Sequence, residues 1–173
     1  SASPFVLQGI YGLSAQEYSY SFALNATGVI LATYCAKRLV AKFSELSILS
    51  FFLNLSLFAS LLLFISILFK GTSIFILISF FLIFSCMGVV SMLSSSLAMQ
   101  SQDKNAGSAS ALLGLVPFIL GAITAPIVGI GGGSTAMPMA IVIALCNIGA
   151  VVCFKKLVRI DNIKNISKTM NLH

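Results

Sequence analysis

The side chains that could do chemistry in this sequence are few and uncharged, and they sit inside long apolar runs. Gly88, Ser91 and Ser95 follow an i, i+3, i+7 spacing, which places them on one narrow wedge of a helix. Hydroxyls on such a stripe either line a cavity for a solute or bond back to helix carbonyls where helices pack closely. Asn25 and Gly28 share a face in the same way, and Asn25 has two readings, a ligand contact or an interhelical bond. Asn54 and Asn147 read as interhelical glue. Gly107, Gly114 and Gly121 recur every seven residues, joined by the small pairs Gly107/Ala111 and Gly121/Ala125. That face predicts tight helix–helix contact. Pro117 and Pro126 lie within the same run and remove two backbone donors, which predicts a bend. Phe51, Phe52, Phe80 and Phe81 read as lipid-facing.

Nothing here is arranged for bond-making chemistry. There is no paired carboxylate, no Ser/His/Asp set, no phosphate loop and no metal-ligand cluster, so neither an enzyme nor a cofactor is expected. Cys35, Cys86, Cys146 and Cys153 form no CxxC pair and read as buried free thiols, and the lone histidine, His173, is the last residue.

The elements that must hold these side chains follow from where charge is missing. No Asp, Glu, Lys or Arg occurs from Leu46 to Phe69, from Gly71 to Gln102 or from Asn105 to Phe154. Charged residues make up 8% of the chain, against about a quarter in soluble domains. About 20 mainly apolar residues suffice for a helix to cross a bilayer. The expected class is therefore all-α integral membrane. A partial span covers about 1–9, and full spans cover about 19–36, 46–69, 73–98, 107–130 and 137–154. Lys70-Gly71, SQDKNAG and the glycine turn GGGST punctuate them. A polar tail, 157–173, is expected to be a disordered cytoplasmic end.

Basic residues orient these spans. Lys37, Arg38, Lys42, Lys104, Lys155, Lys156, Arg159, Lys164 and Lys168 fall in alternate connections on one side, and only Lys70 falls on the other. The positive-inside rule then places the tail in the cytoplasm and Glu17 outside. Because the charges flank apolar segments rather than form a basic, aromatic-interleaved surface, no nucleic-acid partner is expected. The first ten residues reach only about 15 Å as helix. They are expected to be the outer end of a sixth helix, and the chain a fragment.

The opening SASPFVLQ with IYGLS, then YSYSFALNATG, CMGVVSMLSSSLAM, and NAGSASALLG followed by Gly121, Pro126 and AMPMA resemble the C-terminal half of bicyclomycin-resistance (Bcr/CflA-type) drug transporters of the major facilitator superfamily. The resemblance runs in order from Ser1 to about Lys156, so that 1–156 would be the C-terminal transmembrane half of a transporter.

That resemblance implies a six-helix half of a twelve-helix fold in the inner (plasma) membrane. It implies efflux of drugs or other small amphipathic molecules by proton antiport. The coupling carboxylates would lie in a partner N-terminal half, since no span here holds a charge. It also implies cavity-lining positions at Phe5, Gln8, Asn25, Ser91, Ser95, Gly114, Phe118 and Gly121. Arg38, with Lys37 and Lys42, falls in a basic cytoplasmic loop that echoes a gating motif; no Asp precedes Arg38 and no Gly follows it at motif spacing. The alternatives are a non-transporting truncated remnant or a small self-associating membrane scaffold.

Overall fold

The computed structural model describes residues 14–69, 73–100, 106–129 and 136–170. The chain there is helical: α1 (Ala15–Val40), α2 (Glu45–Leu68), α3 (Ser73–Gln100), α4 (Ala106–Gly129) and α5 (Met137–Met170). Phe5, Gln8, the Lys70-Gly71 turn, Lys104 and the GGGST turn lie outside the described residues.

Among the described residues, four helices are long and apolar enough to cross a membrane: Glu45–Leu68, Ile74–Gln100, Ala106–Pro126 and Met137–Leu157. The first full span expected from the sequence, α1, is not among them. At 26 residues it is about 39 Å long, so length is not the reason. Its sequence mixes Ser19, Ser21, Asn25, Thr27 and Thr33 with its apolar residues, which dilutes the hydropathy of every window.

Helix starts follow local chemistry. α1 begins before Ser19 because Ser14 and Glu17 form a capping box. The Ser14 hydroxyl accepts from the Glu17 backbone N–H, and the Glu17 carboxylate accepts from the Ser14 N–H at 2.8 Å. Ser44 caps α2 in a similar way, accepting from the Ser47 N–H. The expected tail is a correction in the other direction. α5 continues to Met170 and does not end near Phe154, since no glycine or proline follows Gly149 to stop it.

Two apolar clusters hold the bundle, one toward each end. One unites Ala59, Leu63, Ile76, Phe80, Ile83, Ala136 and Met139. The other unites Ala36, Ile48, Leu49, Leu53, Val89, Leu93 and Val151, with Val40, Phe52 and Phe154 packed against it. Following each helix from cluster to cluster shows that α1, α3 and α5 run one way and α2 the other. Val128, near the C-terminal end of α4, packs on the first cluster, so α4 runs with α2. α3 is the hub, lying against both α1 and α2, and α2 also packs on α5.

α4 is the outlier. None of its apolar window is buried, against 39% for α2 and 33% for α3.

Candidate functional site

Two arrangements combine polar or small residues with close helix contact: the α1–α3 seam and the α2–α5 seam. On the first, Gly28 lies under the Phe81 ring and the Ser85 hydroxyl. A Cβ at position 28 would stand 2.5 Å from each. One turn along, Gly88 faces Val29 and Thr33, with a Cβ there 2.6 Å from the Val29 Cγ1. The two helices therefore touch backbone against side chain, once in each direction. The Ser85 Oγ is buried in this seam without a hydrogen-bond partner among the described residues.

On the second seam the Ser56 hydroxyl donates to the Asn147 Oδ1 at 2.6 Å, while the Asn147 Nδ2 donates to its own helix at the Ile143 carbonyl. Asn147 is interhelical glue, as its position suggests. Asn54 is not: it is exposed, and its amide donates to the Ser50 carbonyl one turn back. Most other hydroxyls return to their own helices. Ser60, Ser66, Ser79, Ser94, Ser110 and Thr124 each donate to a carbonyl three or four residues earlier. At membrane depth this keeps them from being orphaned.

The structure spreads the expected cavity residues over three helices and does not gather them. Asn25 is half-buried on α1, on the far side of the Gly28 contact from Gly88. Ser91 is exposed and Ser95 half-buried on α3, beyond Gly88 in the other direction. Gly114, Phe118 and Gly121 are exposed on α4; Phe118 is 79% exposed, and no atom comes within 4 Å of a Cβ built at either glycine or at Gly107. The glycine repeat of α4 thus meets no other helix among the described residues. Gly28 and Gly88, which belong to no repeat, do.

Two other expectations need correction. Phe80 is 4% exposed in the core and stacks on Phe84 with ring centroids 6.2 Å apart, and Phe81 covers Gly28. Phe51, at 62% exposed, fits the lipid-facing reading. Of the cysteines only Cys86 is buried; Cys35, Cys146 and Cys153 are free and exposed. The reason is the same in both cases. Apolar residues lie on every side of these helices, so residue type says little about which side meets a neighbour.

The basic residues whose side chains are described gather at one end. Lys37, Arg38 and Lys42 follow Ala36, and Lys155 and Lys156 follow Phe154, all beside the second cluster. Arg38 folds back onto Tyr34, donating to its hydroxyl at 2.6 Å with the guanidinium 5.2 Å from the ring centroid. At the same end Gln100 donates to the Glu45 carboxylate at 3.1 Å, tying the close of α3 to the start of α2. Glu17 sits at the opposite end, and its carboxyl is held below the ordinary value by hydrogen bonds from the Ser14 backbone N–H and hydroxyl.

An α-helical, multi-pass membrane chain with polar seams and no catalytic constellation is the setting for the likeness to known proteins. The chain is 36% identical over 155 residues, 89% of its length, to an uncharacterized MFS-type transporter, YdgK, of Bacillus subtilis. It is homologous to part of an MFS-type transporter. The match takes in 38% of that relative's length. A bicyclomycin resistance protein homolog of Haemophilus influenzae is 25% identical over 154 residues, 89% of this chain and 39% of that protein. No family model and no solved structure matches the chain.

Proposed function

We propose that this chain, over 1–156, is the C-terminal half of a proton-coupled exporter of drugs or other small amphipathic molecules. It would work by alternating access against an N-terminal half that carries the coupling carboxylates. The observation that carries the reading is the likeness, along 89% of the chain, to an MFS-type transporter and to a bicyclomycin resistance protein homolog.

Two physical features support it. The uncovered α4, with its open glycine face, is the surface that a second half would cover, because small residues let helix backbones approach closely. The basic end of the bundle favours a cytoplasmic C-terminus in an inner membrane. In this reading Asn25, Ser91, Ser95, Gly114, Phe118 and Gly121, with Phe5 and Gln8, face the cavity between the halves, so their scatter within one half is no obstacle.

The test is complementation in a drug-sensitive strain. The chain is expressed alone and then with a separately encoded N-terminal half, while accumulation of a fluorescent drug is followed. Reduced accumulation only in the paired case is the expected result. Reduced accumulation with the chain alone points to a self-associating scaffold that transports unaided. No effect in the pair, with both pieces in the membrane, points to an inert remnant. In the active pair, bulky replacement of Asn25, Ser91 and Phe118 is expected to impair export without lowering expression. Unchanged export would remove them from the cavity.

A further inference from the structure

Asn54 is a polar residue left on the outside of the bundle. It lies about 14 Å into α2, counted from Glu45, and so at membrane depth. Its amide donates to the Ser50 carbonyl at 2.7 Å, which uses one of its two N–H groups. The second N–H and the Oδ1 have no partner among the described residues. Hydrocarbon offers them neither donor nor acceptor, so both cost free energy where they stand.

The residues around Asn54 form a seam. From Phe51 to Leu68 the exposed positions of α2 are Phe51, Asn54, Phe58, Leu61, Ile65 and Leu68, and every other position there is buried or half-buried. The steps alternate between three and four residues, the spacing of a helix-pair seam. Apolar residues on such a seam do not by themselves choose between lipid and protein, because lipid tails are as apolar as they are. Asn54 does choose. A single asparagine in a heptad seam sets register and number of strands by pairing with its own counterpart.

Nothing in the chain is placed to cover this face. α2 packs on α3 and α5, and α4 packs on the same two helices without touching α2 among the described residues. α4 therefore lies diagonally across the bundle, and a second half covering its glycine face would leave the α2 seam open. The molecule that fits must present a donor and an acceptor at the depth of Asn54. A second copy, inserted the same way, does so by symmetry.

We propose that α2 is the seam of a parallel homodimer whose axis is normal to the membrane. The free N–H of Asn54 donates to the Oδ1 of the partner's Asn54, and Phe51, Phe58, Leu61 and Ile65 pack on their own counterparts. The contact is isologous, so it closes at two copies. The assignment needs only membrane-spanning helices and does not depend on transport activity.

C35A/C146A/C153A removes the exposed thiols and leaves Cys86 in the core. In that background the full chain is reconstituted in vesicles and oxidised with a single added cysteine. F58C on the seam is compared with F118C on α4 and L145C on α5, all at exposed positions. A covalent dimer is expected at F58C, because facing seam positions come within the roughly 4.4–6.8 Å Cα separation that a disulfide needs. No dimer at F58C overturns the proposal. So does as much dimer at F118C or L145C, which means random collision or contact through another face. Affinity is read by energy transfer between copies labelled at H173C in the same background, as added lipid dilutes them. N54L leaves the core untouched and is expected to raise the dissociation constant about five- to thirty-fold, the range of polar contacts between model membrane helices. N54Q, which keeps a donor and an acceptor, is expected to recover most of that loss. A dimer as tight in N54L as in the parent chain overturns the proposal.

Discussion

Glycine serves opposite ends in two regions of this chain. On the α1–α3 seam Gly28 and Gly88 stand apart from any repeat, and each is pressed by a side chain of the facing helix. On α4 three glycines recur every seven residues and meet nothing among the described residues. Spacing shows that residues share a face, but contact depends on whether another helix lies there. Among the described residues α3 packs broadly on α1 and α2, whereas α4 touches α3 and α5 only lightly. A glycine face is informative about packing only together with the partner that covers it.

The largest effect should come from filling the seam. Gly88→Ala would drive a methyl against Val29, whose β-branched side chain has little rotamer freedom to yield. We expect a loss of about 1–3 kcal/mol in detergent unfolding, in the range of overpacked cores, and partial recovery in Gly88→Ala/Val29→Ala. Full stability in G88A would erase the distinction between the two regions.

Next is the α2–α5 seam. Asn147→Ala should cost about 1 kcal/mol, and a double-mutant cycle with Ser56→Ala should return a coupling of about 0.6 kcal/mol, typical of hydrogen bonds inside membranes. Zero coupling would mean that packing alone joins these helices.

Ser14→Ala removes the cap of α1 and should lower its stability by about 0.5–1 kcal/mol, seen as faster amide exchange in the first turn. The same turn carries the pH dependence. Glu17 has a depressed value in the folded chain, so its contribution is full above its ordinary value of 4.5 and is lost as pH falls through the lower folded value. Fraying of α1 should therefore increase only under acid conditions, and Glu17→Gln should remove that dependence. Least affected should be α4. Gly114→Ala and Gly121→Ala are expected to leave the isolated chain unharmed, or up to about 1 kcal/mol more stable through helix propensity. The same changes should impair transport once a second half covers the face. A loss of several kcal/mol in the isolated chain would show that α4 already has a partner, such as a second copy.

Much of the fold was legible because membrane helices announce themselves by missing charge. The runs from Leu46 to Phe69 and from Gly71 to Gln102 became α2 and α3 with little adjustment. The capping box at Ser14 was also in view, as Ser-x-x-Glu, but lay hidden in what reads as a polar connection. The persistence of α5 past Phe154 was marked only by the absence of a helix breaker. Phe80 and Cys146 had no such signal. A helix apolar on all sides carries no stripe to separate core from lipid, so a buried phenylalanine and an exposed cysteine cannot be told apart by pattern. The candidate site was legible in residue type but not in arrangement, since Gly28 needed its neighbour Phe81 before its role could be seen.

The bond from Ser56 to Asn147 sets a limit on how the bundle can move. It joins α2 and α5 between the two apolar clusters, with Leu53 and Val151 toward one end and Ala59 and Met139 toward the other. Tilting α5 about this point stretches the 2.6 Å contact little, because the bonded pair sits at the pivot. Sliding α5 by a single residue would shift it about 1.5 Å and pull the pair apart in a medium with no water to replace it. The joint therefore disfavours sliding more than tilting, so rocking about it tends to keep the axial register of the two helices.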